Sequence, residues 1–196
     1  MMSKALRLAS CVAVAGLLTA SAATASTVLG LTIEDQARLA TWVVGGEVTA
    51  LQGVDHPENG LETAVTLRVE RSFKGKVRPG DELVFHTRSG ELNGERSTAI
   101  GEAVFNVGSR VLVFVETIDG RPYNIGLSYG VFNILEDRRG RRAAVRALQN
   151  SLEIYDDAKV GNGPFTLEEI GARVNHAARN PRFDNELVRE SMRGGN

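Results

Sequence analysis

The chain of 196 residues carries 23 Lys and Arg against 24 Asp and Glu, a formal net charge of -1, and holds a single cysteine, Cys11. A charge so close to zero provides no general attraction for nucleic acid or anionic lipid, and one cysteine excludes a disulfide scaffold and a thiolate metal site. The length is that of one domain, enough to bury roughly 70% of the unfolded chain's surface in a core of its own.

At the start, Lys4 and Arg7 precede an apolar stretch from Cys11 to about Leu18, and Ala23-Thr24-Ala25 has the A-x-A form of a cleavage site. Together they read as a signal peptide over residues 1–25. The mature chain then begins at Ser26, loses two cations and reaches a net charge of -3, and Cys11 leaves with the signal. A spanning helix needs roughly 20 apolar residues in a row, which this stretch lacks. The expectation is therefore a periplasmic or secreted protein with no stable membrane anchor after cleavage. Leu8-Ala9-Ser10-Cys11 matches a lipidation box in letters, but the apolar core follows Cys11 instead of preceding it.

Residues 26–41 form an N-terminal segment with a short helix over Thr32 to Ala40, where Thr32 is the N-cap, Asp35 stands three residues on, and Ile33, Ala37 and Ala40 share a side. Residues 42–148 read as the β domain. The Val-rich run Trp42 to Leu51 is interrupted by Gly45-Gly46, the mark of a long strand with a bulge or sharp bend. Polar residues from Gln52 to Leu61 suggest a loop. From Thr63 to Phe73, Val65, Leu67 and Val69 alternate with Thr66, Arg68 and Glu70, the period of a half-buried strand. Lys74-Gly75 and Pro79-Gly80 turn the chain into a strand over Leu83 to Thr87, and Gly90 to Gly101 reads as a loop or ragged hairpin.

Val111 to Val115 is continuous in apolar residues, as in a strand buried on both faces, and Asp119-Gly120 signals a hairpin back through Tyr123 to Leu127. Val131 to Leu135 is a further strand. Ala143 to Leu148 has the spacing of either a strand or a helix. Residues 149–180 comprise a linker and an amphipathic C-terminal helix with a capping box at Thr166 and Glu169, a staple of Phe165 and Ile170, and an apolar stripe of Leu167, Ile170, Val174 and Ala177. Pro181 stops it, and the charged residues 181–196 read as a disordered tail. The fold class expected is mainly β: a small OB-like barrel of about six or seven strands with one short helix before it and one amphipathic helix after it.

Chemistry is sparse. Gly126-Leu127-Ser128-Tyr129-Gly130 has the letters of a hydrolase nucleophile elbow, but that device needs a helix after the serine, and a strand follows here. His56, His86 and His176 lack a second histidine three or four residues away, so there is no zinc signature, although Asp55, His56 and Glu58 sit together in a polar stretch. Arg138, Arg139, Arg141 and Arg142 form a basic turn flanked by Glu136 and Asp137, more a solvated tip than an anion site. No catalytic, metal-binding or cofactor-binding residue is assigned, and no cofactor is expected.

The run Ala-x-x-Val-x-Gly-x-Val around Ala40 to Val48, the strand ending Ser72-Phe73-Lys74-Gly75, Pro79-Gly80-Asp81 before a strand, and Phe105-x-x-Gly108 before Val111-Leu112-Val113-Phe114 resemble, in that order, netrin-like modules. Among these are the tissue inhibitors of metalloproteinases, and the resemblance implies an OB-type barrel. In those inhibitors an N-terminal cysteine, pinned by disulfides, reaches the target's zinc. Here Ser26-Thr27-Val28 stands at that end, so the resemblance carries over the barrel and not the inhibitory residues. The same pattern also resembles small bacterial exported proteins. The resulting expectation is a non-catalytic exported binding or protein-interaction module whose partner is an exported protein, a peptidase or an envelope component. An inhibitor or partner of an exported peptidase is the alternative, and a hydrolase using Ser128 comes after it.

Overall fold

The computed structural model of the chain describes residues 26–149, 152–155, 163–186 and 188. The expected signal peptide lies outside them.

Local signals place the first elements where expected. After β1 (Ser26–Leu29), helix α1 (Ile33–Leu39) starts at Thr32, whose hydroxyl accepts the N–H of Asp35 at 3.1 Å. The far end of α1 is closed by a residue from another element. Lys74 Nζ donates to the carbonyls of Ala37 and Ala40 at 2.7 and 2.6 Å, placing a cation on the helix C-terminus, where unpaired carbonyls concentrate negative charge.

Strands β2 (Trp42–His56) and β3 (Gly60–Lys74) form a long hairpin, with register shifts at Val43/Val44, Gly45/Gly46 and Val48/Ala50. The loop expected over Gln52 to Leu61 is thereby corrected: pairing runs from Gln52 with Ala64 down to His56 with Gly60, and only Pro57, Glu58 and Asn59 turn the chain. Backbone pairing overrides the polar composition because an exposed ribbon tolerates polar side chains on both faces. The Pro79-Gly80 turn, with Gly80 at φ 95° and the Asp81 N–H bonded to the Arg78 carbonyl, leads into β4 (Glu82–Thr87). The polar stretch after it folds as a small hairpin, β5 (Gly90–Leu92) with β6 (Glu95–Ser97).

Strand β7 (Arg110–Ile118) turns through Asp119 and Gly120, both at positive φ, into β8 (Arg121–Asn124). A 3-10 turn (Leu127–Gly130) shortens the return strand expected to reach Leu127, and β9 (Val131–Glu136) follows. Residues Arg142–Arg146 are strand β10, which resolves the strand-or-helix ambiguity from Ala143 onward. A further strand, β11 (Leu152–Tyr155), lies within the expected linker and pairs in parallel with β1, Ser26 opposite Leu152. The short β12 (Phe165–Thr166) leads into helix α2 (Leu167–Arg179), whose N-cap Thr166 accepts from the Glu169 N–H at 3.1 Å, and whose stripe Leu167, Ile170, Val174 and Ala177 is buried.

Among the described residues the chain is mainly β, and five strands pair in a ring: β2 with β3, β3 with β4, β4 with β8, β8 with β7 and β7 with β2. Closure between β4 and β8 rests on one parallel residue pair, His86 with Tyr123. The remainder of the six or seven strands expected lie outside the ring, since β9, β10 and β12 continue the sheet outward from β7.

Two cores result. Inside the ring pack Val44, Val48, Val65, Leu67, Val69, Phe85, Val111, Val113 and Val115; outside it Val43, Leu112, Phe114, Phe132 and Ala144 meet α1 and α2. Strand β7 alternates between the two cores, which is why its apolar run is continuous. Each Val, Leu or Phe among them contributes roughly 1.5–3 kcal/mol on burial.

The stretch beyond Pro181 departs from the expectation of a disordered tail as far as it is described. Asp184 and Asn185 donate their backbone N–H groups to the buried Asp35 carboxylate at 2.7 and 2.9 Å, and Val188 joins the outer core. Residues 189–196 lie outside the described residues. No helix among the described residues is long and apolar enough to cross a membrane.

Candidate functional site

The residues singled out from sequence do not converge. Ser128 sits in the 3-10 turn and is fully buried, its hydroxyl accepting the Gln149 N–H at 3.3 Å, and strand β9 follows at once. His56 is the cap of the β2–β3 turn: its Nδ1 accepts the N–H groups of Glu58 and Asn59 at 3.3 and 3.1 Å. His176 is exposed on α2 beside Asn180. In the basic turn, Arg141 pairs with Asp137 at 2.7 Å and Arg142 with Glu136 at 2.9 Å, so half of the cluster is neutralised locally. Among the described residues no group of three or more His, Cys, Asp or Glu is placed to hold a metal.

What the fold gathers instead is polar residues at the end of the ring where β4 meets β8. Glu62 of β3 is fully buried. Its Oε1 accepts the Tyr123 hydroxyl at 2.7 Å and the Asn59 side-chain amide at 3.2 Å, and Arg121 lies 2.9 Å from Oε2. Burial opposes the charge, but the two hydrogen bonds, Arg121 and His56 together hold the Glu62 carboxyl below its ordinary value. The same burial, reinforced by the carboxylate, pushes the Tyr123 phenol upward. His86 faces the Pro122 carbonyl through Nδ1 at 3.3 Å; a carbonyl can only accept, so this nitrogen carries the hydrogen. Burial first, and then Arg121, lowers the His86 pKa.

A second buried acid plugs the same end. Glu102 accepts the Arg88 N–H at 2.9 Å, its neighbour Ala103 N–H at 2.9 Å and the Asn124 side-chain amide at 2.8 Å. Three donors satisfy both oxygens of the carboxylate and anchor the crossing from the β5–β6 hairpin to β7.

Beside this plug a groove of about 640 Å³ opens. Its lining includes Leu51 of β2, Gly90, Arg96, Ala99, Val104 and Phe105. Two close approaches shape it: a Cβ on Gly53 would run into the Glu91 carbonyl, and one on Gly90 into the Glu62 backbone, so only glycine lets β5 lie against the β2–β3 ribbon. Val104 is 68% exposed on the groove wall, and Leu51 38%.

Sequence reasoning missed Glu62 and Glu102. Glu62 shares the parity of half-buried Thr66 and exposed Arg68, and nothing local marks it for burial. For Glu102 a faint signal exists, a lone acid directly before an apolar group whose Ala103 and Phe105 enter the ring.

Comparison of the chain with protein-family models, with curated proteins and with solved structures found no match.

Proposed function

We propose that the chain, exported and cleaved after Ala25, is a non-catalytic binding module that seats a partner protein of the exported compartment in the groove at the end of the ring. The observation that carries this reading is the exposure of Val104 on the wall of a concave, preformed site. The charged groups that line it are engaged: Glu102 by three donors, and Arg96 with Glu91 at 2.7 Å. Ser128, the serine of the elbow-like run Gly126 to Gly130, lies inside the fold with its oxygen accepting the Gln149 N–H.

An envelope component or an exported peptidase are the partner classes in view. The peptidase reading draws on the netrin-like resemblance, and Ser26-Thr27-Val28, held in β1 against β11, favours a docking role over insertion of the chain's end into a target.

Gentle crosslinking of the mature protein in the exported fraction of the cells that make it, followed by mass spectrometry, tests the proposal. One partner recovered in stoichiometric amount and lost with Val104→Asp is the expected result. Recovery of the protein alone, or a partner indifferent to Val104→Asp, overturns it.

A further inference from the structure

We propose that the groove takes an extended polypeptide, which adds to the chain as a strand along Ala103 to Asn106; the inference rests on the groove being the ligand seat. Burial alternates through this segment, with Ala103 and Phe105 turned into the ring and Val104 and Asn106 exposed. That is the period of a strand. Phe105 fixes its depth by an edge-to-face contact with Phe85, ring centres 5.3 Å apart. Yet the segment belongs to no ladder.

Among the described residues, the N–H groups of Val104, Phe105 and Asn106 and the carbonyls of Ala103, Val104 and Phe105 form no hydrogen bond. Successive residues of a strand-like segment present these groups to opposite edges, so the Val104 N–H and carbonyl and the Asn106 N–H share one edge, a template for another backbone. Across the groove, β6 pairs only with β5, so its other edge is unpaired as well.

The chemistry of the walls selects among occupants. A phosphate or other anion needs a free cation, but Arg96 is held by Glu91. A glycan stacks on exposed aromatic faces; the aromatic ring here, Phe105, points inward. What the groove offers is main-chain polar groups flanked by exposed Val104 and Leu51, the complement of an uncharged extended peptide with an apolar side chain at every second position.

Random linear peptides displayed against the purified mature protein test this. Enriched peptides should carry alternating apolar residues and, once bound, slow the hydrogen exchange of the Val104 and Asn106 amides, which share one edge, while that of Phe105 on the opposite edge is unchanged. N-methylation of the peptide at residues of one parity should weaken binding by about tenfold or more, roughly 1.4 kcal/mol, while the other parity is spared. Val104→Pro, which removes one N–H, should weaken binding more than Val104→Ala; if Val104→Pro fails to fold, the N-methyl series decides alone. No enrichment, or equal binding of both N-methylated series, overturns the inference. The two readings fail separately: a native partner lost with Val104→Asp while no peptide is selected leaves the groove as the seat and removes only strand pairing.

Discussion

Tyr123 donates its phenolic hydrogen to the buried Glu62 carboxylate at 2.7 Å, and this bond joins β8 to β3 across the place where the ring closes. Strand β4 lies between them and contributes one residue pair to the closure. The side-chain bond therefore stabilises a seam that the backbone ladder holds weakly.

Tyr123→Phe should cost about 1–3 kcal/mol, the penalty of leaving a buried acceptor short of a donor. For a chain of this size that lowers Tm by roughly 2–4 °C per kcal/mol. The pH dependence has a defined sign. Because the Glu62 carboxyl is held below its ordinary 4.5 in the fold, its contribution is complete above that value and is lost as pH falls through the folded one. Urea melts of wild type and Tyr123→Phe between neutral pH and acid should converge as Glu62 protonates; parallel curves would contradict the pairing.

His86 should titrate below its ordinary 6.5, chiefly because burial disfavours the imidazolium and Arg121 repels it. An unfolded chain binds a proton there that the folded chain resists. Stability from this group is full above 6.5 and falls as pH drops from 6.5 to the folded value, then levels. Proton-carbon NMR of the histidine rings measures the midpoint directly, and a value at or above 6.5 would refute the assignment.

Asp35 ties the start of the described chain to its end, accepting the N–H groups of Asp184 and Asn185 and pairing with Arg38 at 2.7 Å. Asp35→Ala strands those donors, a loss of roughly 1.5–3 kcal/mol for a charged acceptor. Fast hydrogen exchange at Asp184 and Asn185, together with new tryptic cleavage after Arg182, is the expected outcome. Unchanged protection at both amides would show that other contacts hold the segment.

Gly53→Ala should displace β5 from the β2–β3 ribbon, since the new methyl meets the Glu91 carbonyl. Overpacking of this kind costs about 1–3 kcal/mol. Amide shifts should concentrate in residues 90–97 and along the groove wall while those of β7 stay in place. Shifts spread evenly through the ring would argue against a local contact.

The sequence by itself determined what is local. Both helix starts were legible because a cap bonds only three residues ahead, Thr32 to Asp35 and Thr166 to Glu169. The Thr63 to Phe73 strand and the doubly buried Val111 to Val115 were legible because side-chain direction follows a fixed period, and the Asp119-Gly120 turn because few residues accept positive φ. Tertiary structure alone decided the rest. His86 meets Tyr123, and Ser26 meets Leu152, through pairings between distant strands whose partners carry no mark of one another. Glu62 and Glu102 are buried because remote donors, Tyr123 and Asn124, arrive to satisfy them, and the groove exists because β5 comes to rest on Gly53. Periodicity tells which way a side chain points; what waits there is set by the packing of segments far away in the chain.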